Sequence, residues 1–358
     1  EGRFRVNSDR FVMRAGSVCG RAHRGLDQAN QDAVYCHGWA GGLVAVICDG
    51  CGSAPHSGLG AALGCRLTAG ALIRRQDMLA EAASIEDAEH YLAAVQADVL
   101  TALAALVVGC PDPAERTIHD CLLFTIIGIV ISGENAVLFA LGDGVIGYNG
   151  DIQVLGPYPN NAPPYLGYAL LPDGTPATVP AAAGDAPRDC GNAGDRLRGP
   201  EIGARVSRPA AAPAAATRDW TAHDRTKRAW RPAPLPRALD HNGEALAAEG
   251  AEDAPSYSLA CHAFLPAAEL HTAVIGSDGV VDALRGAARP LPGTAEPFGP
   301  LSQFWEDDRY ARNPDLLRRR LARAARAVPG TPAILSDDTS LVVIRSAGIQ
   351  DLRPRPGG

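Results

Sequence analysis

The sequence lacks the features that mark several classes of protein. Its longest apolar run, 121–131, has 11 residues, well short of the roughly 20 that a membrane-spanning helix needs. No positively charged start is followed by an apolar segment, so no secretion signal is visible. The net charge of −7 and the pI near 5.7 lack the basic footprint of general nucleic-acid binding. These absences predict a cytoplasmic protein with neither a membrane nor a nucleic acid as partner.

The nine cysteines do not suggest a disulfide framework. Their number is odd and most lie inside apolar runs, which is typical of buried thiols in a reducing compartment. Cys48 and Cys51 have the Cys-x-x-Cys spacing of redox and zinc sites. A redox or zinc-binding role for this pair is only a secondary interpretation, because the chain contains no second pair of cysteines with this spacing.

One segment of the chain is rich in Ala, Pro and Gly. Residues 173–255 contain 40 Ala, Pro or Gly among 83 residues and only seven Val, Ile or Leu. Such a segment buries too little apolar area to offset its ordering entropy. We therefore predict a single domain formed by 1–172 and 256–350, interrupted by a mobile insertion and followed by a disordered tail at 351–358. The basic part of the insertion, 205–237, is either a docking arm or a solvated linker.

The rest of the chain has the pattern of an α+β protein. Val- and Ile-rich runs bounded by turns predict strands at 11–19, 32–37, 43–48, 121–131, 136–141, 144–148, 151–155, 271–276 and 339–345. Apolar spacing predicts helices at 56–75, after an N-cap at Ser84, from 279 to 284 and at 316–327. Strand groups that are separated by helices in this order indicate stacked layers and not a βαβ repeat.

Five aspartates lie where predicted strands meet tight turns: Asp32, Asp49, Asp143, Asp278 and Asp337. A single Asp-Gly pair is most often only a turn. Strand ends that share one edge of a sheet would, however, gather these carboxylates, which repel one another unless divalent cations neutralise them. Oxygen ligands without a matching set of His and Cys favour Mg²⁺ or Mn²⁺ over Zn²⁺. Because two such ions can assist attack on phosphorus, the pattern predicts a metal-dependent phosphohydrolase.

The motifs around these aspartates resemble a known family. They are Gly20-Arg-Ala-His, Asn30-Gln-Asp32, Asp49-Gly-Cys-Gly-Ser-Ala, Gly142-Asp-Gly144, Gly276-Ser-Asp-Gly279 and Asp337-Asp-Thr-Ser340. Their order is similar to that in the metal-dependent protein phosphatases, the PPM or type 2C serine/threonine phosphatases. The Asp-Gly-Cys-Gly-Ser-Ala form resembles a bacterial subgroup whose genes often neighbour kinase and adaptor genes. The resemblance covers nearly the whole chain except 173–255.

The resemblance implies a fold, a reaction and partners. The fold is a four-layer α-β-β-α sandwich, with two antiparallel sheets flanked by helices. The reaction is hydrolysis of phosphoserine or phosphothreonine on proteins, by direct attack of a hydroxide that bridges two Mn²⁺ or Mg²⁺ ions, with a third ion as an option. The partners are a phosphorylated protein substrate and a kinase or an adaptor. No activated Ser, Cys or His nucleophile is identifiable, so we expect no phosphoenzyme.

The resemblance also implies a role for each aspartate. Asp49 bridges both metals, and the carbonyl of Gly50 binds one of them. Asp278 and Asp337 complete the metal shell, which makes Asp49 and Asp278 the central catalytic carboxylates. Asp32 holds the other metal through water, and Asp143 matches the aspartate of a weaker third site.

Two departures from the family pattern leave roles open. Asp27 stands where eukaryotic members have the arginine that clamps phosphate, and Cys51 stands where they have a proposed general-acid histidine. The nearest alternatives for contact with the phosphate are Arg21, His23 and Arg24, and either His56 or water could donate a proton. The alternative for each histidine is that it caps or satisfies the local backbone.

Two rival functions remain compatible with the same residues. A pseudophosphatase would keep the fold for binding, and the missing arginine and general acid favour it. A phosphatase of a small phosphoester would keep the metal centre. Substrate choice would depend on the insertion and on the segment 161–168, which the resemblance makes either a flap beside the site or a plain loop.

Overall fold

The computed structural model describes residues 5–7, 10–158, 162–171 and 257–347, with the backbone alone for 5–7. The strands are β1 Arg5–Asn7, β2 Phe11–Val18, β3 Ala33–Trp39, β4 Gly42–Cys48, β5 Ile126–Ser132, β6 Asn135–Leu141, β7 Gly144–Tyr148, β8 Asp151–Leu155, β9 Ala260–Pro266, β10 Thr272–Gly276 and β11 Thr339–Ser346. The helices are α1 Arg21–Gly25, α2 Ser57–Arg74, α3 Gln76–Ala80, α4 Ile85–Gly109, α5 Ala114–Cys121, α6 Val280–Arg285, α7 Gln303–Glu306, α8 Asp308–Arg312 and α9 Leu316–Ala324. Short 3-10 helices occupy Leu166–Leu170 and Ala267–Glu269.

The strands form two antiparallel sheets. The first has the order β1-β2-β11-β10-β7-β8, and the second has the order β3-β4-β5-β6-β9. The central strands β4 and β5 are buried along their whole length. Their near-continuous Val and Ile content follows from this burial, because both faces of the second sheet are covered.

Three apolar clusters separate four layers. The cluster between the two sheets includes Ile47, Ile129 and Val342. A second cluster joins the outer face of the second sheet to α2 and α4, and a third joins the first sheet to α6 and α9. The predicted α-β-β-α sandwich of two antiparallel sheets is therefore confirmed.

The helix α4 illustrates how the sequence specifies an element. Ser84 caps it by accepting a hydrogen bond from the Asp87 N–H, and the Asp87 carboxylate accepts one from the Ser84 N–H. By length and composition this helix is apolar enough to cross a membrane. Core helices of soluble proteins meet the same criterion, and α4 buries seven residues on one face, among them Tyr91, Val95 and Leu103.

Most predicted elements are present, and several short ones were missed. The strand predicted at 121–131 begins only at Ile126, because Ala114–Cys121 forms α5. The edge strand β9, Ala260–Pro266, was not predicted. The seven residues of β9 come soon after the Ala- and Pro-rich segment 173–255, and Ala260, Ala263 and Pro266 within the strand continue that composition. The start of the strand is therefore not visible in the sequence.

Some predictions fall outside the described residues. These are the mobile insertion at 173–255, including the docking or linker role of 205–237, and the disordered tail at 351–358. They remain predictions.

Candidate active site

Strand ends from both sheets meet at one edge of the sandwich. In the second sheet, Ala33 at the start of β3 pairs with Cys48 at the end of β4, and Ile126 pairs with Leu141. In the first sheet, Gly276 at the end of β10 pairs with Leu341 near the start of β11. Each of the five predicted aspartates lies in a turn that adjoins one of these strand ends. The five aspartates therefore lie at the same edge of the sandwich, as the sequence pattern predicts.

Asp49 lies at the centre of the carboxylate cluster. It is within hydrogen-bonding reach of both Asp32 and Asp278. Burial raises the pKa of Asp49 well above its usual value, and the charges of Asp32 and Asp278 raise it further. Three carboxylates in mutual contact cannot all be ionised without a compensating cation.

Asp32 approaches this centre from the start of β3. Burial raises its pKa to about 7, although hydrogen bonds from Ser277 and Ser340 favour the ionised form. The hydroxyl of Ser277 donates to Asp32 Oδ2 over 2.8 Å. The carboxylate is thus held in place by the turn that carries Asp278.

Asp143 and Asp337 extend the cluster. Burial and then the charge of Asp278 raise the pKa of Asp143 to about 6, and the charge of Asp337 adds to this. For Asp278, burial and then the charge of Asp337 raise the pKa. Asp337 itself is exposed. Each of the five aspartates therefore interacts electrostatically with at least one other.

The backbone at Asp49 and Gly50 is fixed by the segment before β5. The Thr125 N–H donates to Asp49 O over 2.8 Å, and the Cys51 N–H donates to Leu123 O over 2.9 Å. Gly50 therefore forms a non-hydrogen-bonded antiparallel pair with Phe124, and its carbonyl points away from that strand. A Cβ at Gly50 would lie 2.8 Å from the Ser57 backbone, so only glycine fits.

Asp338 ties the segment after β2 to the start of β11. Its buried carboxylate accepts hydrogen bonds from the Gly20 N–H over 2.7 Å and the Gln31 N–H over 2.6 Å. His23 Nδ1 lies 2.8 Å from Asp338 Oδ2. Ligand atoms of His23, Asp337 and Asp338 lie within 4.8 Å of one another. His23 is therefore next to the cluster, as its predicted role requires, and its contact is with a carboxylate.

Three further residues that the sequence analysis discussed are His56, Asp27 and Cys51. His56 is exposed at the N-cap of α2 and makes no capping hydrogen bond with its side chain. Asp27, in the place of the family arginine, is also exposed. Cys51 interacts with Tyr165, whose pKa is raised by burial and then by Cys51. The described cysteines are free thiols.

Several supporting residues were not assigned roles from the sequence. Ser277 holds the Asp32 carboxylate, and the Asn30 side chain accepts from the Asp32 N–H over 3.0 Å. Thr125 Oγ1 accepts from the Asp49 N–H over 3.2 Å. Ser277 and Asn30 stand within the quoted motifs, so proximity to an aspartate was an available signal. Thr125 is distant in sequence and gave none.

The donor set fits divalent cations that prefer oxygen ligands. It consists of carboxylates, with the Gly50 carbonyl directed away from its own strand pairing. Neighbouring carboxylates raise the pKa values of Asp49 and Asp278, so a bound divalent cation would relieve their mutual repulsion. Mg²⁺ and Mn²⁺ supply that charge and accept such ligands.

One family model matches part of the chain. Residues 19–163 match the family model described as Protein phosphatase 2C. A search of the curated proteins finds no match.

Solved structures of bacterial phosphatases are also similar. The catalytic domain of the serine/threonine protein phosphatase PstP, in complex with two manganese ions, is 13% identical, with 95% of this chain and 99% of that chain covered and a TM-score of 0.41. PppA, a regulatory component of T6SS in Pseudomonas aeruginosa, is 16% identical, with 94% and 98% covered and a TM-score of 0.40. Stp1 from Staphylococcus aureus is 11% identical, with 94% of both chains covered and a TM-score of 0.41. Because the identities are below 25% and the TM-scores are below 0.5, no argument is based on these likenesses.

Proposed function

We propose that this chain is a protein phosphatase of the 2C type, since residues 19–163 match that family model, and that it hydrolyses phosphoserine and phosphothreonine on proteins in a metal-dependent reaction. The observation that carries the proposal is the cluster of five aspartates at one edge of the sandwich, with Asp49 in contact with Asp32 and Asp278. The relative PstP is described with two manganese ions, and we propose two Mn²⁺ or Mg²⁺ ions here as well.

The proposed ligands follow from the geometry of the cluster. Asp49 would be shared between the two ions because it touches aspartates on both sides. Asp278 and Asp337 would hold one ion together with the Gly50 carbonyl, and Asp32 would hold the other. Asp143 would serve a further, weaker ion. When bound, the ions would neutralise the carboxylates and the phosphoryl oxygens and would lower the pKa of water, the nucleophile in this reaction.

The residues of the chain position these groups before the reaction. Ser277 and Asn30 orient Asp32, and Thr125 fixes the backbone on both sides of Asp49. Such pre-arranged groups need little rearrangement when charge develops in the transition state. His23, held beside Asp338, is the proposed contact for phosphate in the absence of the family arginine.

Substitution of the central aspartates tests the proposal. Asp49→Asn and Asp278→Asn should each lower Mn²⁺-dependent hydrolysis of p-nitrophenyl phosphate and of a phosphothreonine peptide by more than about 100-fold, since even supporting residues of metal sites typically contribute 10- to 100-fold. Asp112→Asn is the matched control, because Asp112 is exposed, and its rate should stay within about twofold of wild type. Unchanged turnover in both site variants would refute the proposal.

The rival pseudophosphatase makes a different prediction in the same assay. Wild-type protein would then bind a phosphopeptide without turning it over at any concentration of Mn²⁺. A small-phosphoester phosphatase would turn over p-nitrophenyl phosphate but not the peptide. Cytoplasmic location and a kinase or adaptor as partner remain proposals.

A further inference from the structure

One outer face of the sandwich is basic, although the chain as a whole carries a net charge of −7. Residues 316–336 contain five arginines and no acidic residue. The helix α9 lies in this stretch and packs on β2, with Leu317 and Leu321 buried. Four of the five arginines are exposed, namely Arg318, Arg319, Arg323 and Arg326. Charge of one sign on an exposed face is typical of a surface that attracts oppositely charged partners.

Two backbone hydrogen bonds join α9 to the edge that carries the aspartate cluster. The Ile334 N–H donates to Ala324 O at the end of α9 over 2.8 Å. The Ala22 N–H, in the first turn of α1, donates to Ser336 O over 2.9 Å. Asp337, which belongs to the cluster, is the next residue of the chain. The end of α9 is therefore next to α1 and to the proposed metal centre.

The helix α1 adds two further exposed arginines to this face. With three arginines of the α9 stretch they form a set that we call the basic band: Arg21, Arg24, Arg318, Arg323 and Arg326. Within the residues that the structure describes, no member of the basic band forms an ion pair. Arg319 is not included, because Asp315 lies 3.9 Å away from it. The charge of the basic band is therefore available to a partner.

The charge of the neighbouring parts of the chain restricts what this partner can be. Residues 33–158 carry 13 acidic and four basic side chains, so a nucleic acid, which is charged along its whole length, would be repelled beyond the basic band. A polypeptide can carry its acidic residues on one side only. The helix α9 has nine residues, about 14 Å, which an extended chain covers in about four residues. Acidic residues within roughly eight positions of a phosphorylated residue at the metal centre can therefore reach the basic band.

We propose that the basic band binds acidic residues that flank the phosphorylated residue of the substrate polypeptide. The arginines attract these carboxylates before the phosphate enters the metal centre, so they act mainly on the rate of association and weaken as salt screens them. The proposal rests on the proposed function, because it names a class of phosphoprotein for the same site. It predicts a preference for phosphorylated segments that carry several Asp or Glu residues on one side.

Steady-state kinetics on the whole chain with Mn²⁺ test this preference. The substrates are p-nitrophenyl phosphate, which has no flanking chain, and phosphothreonine peptides that carry a run of Glu or of Gln on either the N-terminal or the C-terminal side. In wild type at low salt we expect kcat/KM to be roughly 10-fold higher for the Glu peptide than for the Gln peptide on one of the two sides. At about 0.5 M NaCl the ratio should fall towards one, because the charges are then screened.

A double variant assigns the preference to the basic band. Arg323→Gln with Arg326→Gln removes two exposed charges and should lower the ratio of Glu to Gln peptide activity to about twofold or less. Glutamine has nearly the helix propensity of arginine, so the end of α9 should be retained. Arg74→Gln is the matched control, because this side chain is 65% exposed on α2, in the other outer layer. It should keep the wild-type ratio.

The outcomes separate this proposal from the proposed function. Equal rates for the Glu and Gln peptides in wild type at low salt, or an unchanged ratio in the double variant, would overturn the basic band as a substrate surface. Stronger inhibition of peptide turnover by a single-stranded oligonucleotide than by an unphosphorylated Glu peptide would also overturn it, since the partner would then be a nucleic acid. Absence of turnover of every substrate, p-nitrophenyl phosphate included, would instead refute the proposed function, and the basic band proposal with it.

Discussion

At the scale of residues, the centre of the molecule is a set of acids that oppose one another's ionisation. Asp49 is in contact with two other aspartates, and the pKa values of Asp32 and Asp143 are raised to about 7 and about 6. The sequence allowed the identity of these residues to be predicted, because each lies at one end of an apolar strand. The contacts among them could not be predicted, since they depend on residues such as Ser277 and Thr125 that only the fold brings close.

The mutual repulsion of the buried carboxylates predicts how the stability of the metal-free protein depends on pH. A carboxyl group whose pKa is raised on folding binds more protons in the folded than in the unfolded chain between its two pKa values, so its contribution to stability falls as pH rises through that window. For Asp49, whose folded pKa lies well above 3.8, substitution by Asn removes this penalty. In EDTA, Asp49→Asn should therefore raise the unfolding midpoint by at least about 2 °C at pH 7.5, and by less at pH 5.

Differential scanning fluorimetry of both proteins at the two pH values checks this expectation. Taking the difference between variant and wild type removes the effect of other groups, such as His262, whose pKa is lowered by burial to about 4. A lower midpoint for Asp49→Asn at pH 7.5 in EDTA would contradict the account. Added Mn²⁺ should stabilise wild type and not the variant.

At the scale of elements, turns and caps were predictable where the local sequence alone decides the structure. Ser84 was predicted as an N-cap from its position before an amphipathic run, and the structure shows the complete capping box with Asp87. The edge strand β9 and the helix α5 were missed because their short sequences carry no strong pattern of their own. Tertiary packing, and not local propensity, determines such elements.

The N-cap of α4 provides a test at this scale. Ser84→Ala removes the side-chain acceptor for the Asp87 N–H and should lower the free energy of unfolding by about 1 kcal/mol. Thr101→Ala is the matched control in the same helix, because Thr101 is exposed and alanine is the better helix former. Urea denaturation measures both values. A loss in Thr101→Ala as large as that in Ser84→Ala would show that the cap is not the cause.

At the scale of the whole molecule, the described sheets, helices and clusters form one sandwich without any residue from 173–255. The chain enters and leaves this segment at neighbouring points, since the rings of Tyr168 and Tyr257 are 5.7 Å apart between centroids. The composition predicts an interruption of the globular sequence at 173–255, which lies outside the described residues. It carried no information on how the two flanking parts pair, which depends on contacts between β6 and β9.

Replacement of residues 173–255 by a short linker tests this view of the molecule. A Gly/Ser linker of about eight residues easily spans the distance between the two ends. The shortened protein should unfold cooperatively and keep Mn²⁺-dependent hydrolysis of p-nitrophenyl phosphate within about threefold of wild type, because all five aspartates remain. Circular dichroism and the activity assay check both points. Loss of cooperative unfolding would show that the segment is part of the core.

The central claim is that the aspartate cluster is a divalent-cation site, and calorimetric titration of metal-free wild-type protein with Mn²⁺ tests it most directly. We predict two ions bound per chain, with release of protons that appears as a dependence of the measured enthalpy on the buffer, since the pKa of Asp32 is raised to about 7 and that of Asp49 is raised well above its usual value. Asp49→Asn should abolish the binding. Absence of any binding by wild type at millimolar Mn²⁺ would contradict the account.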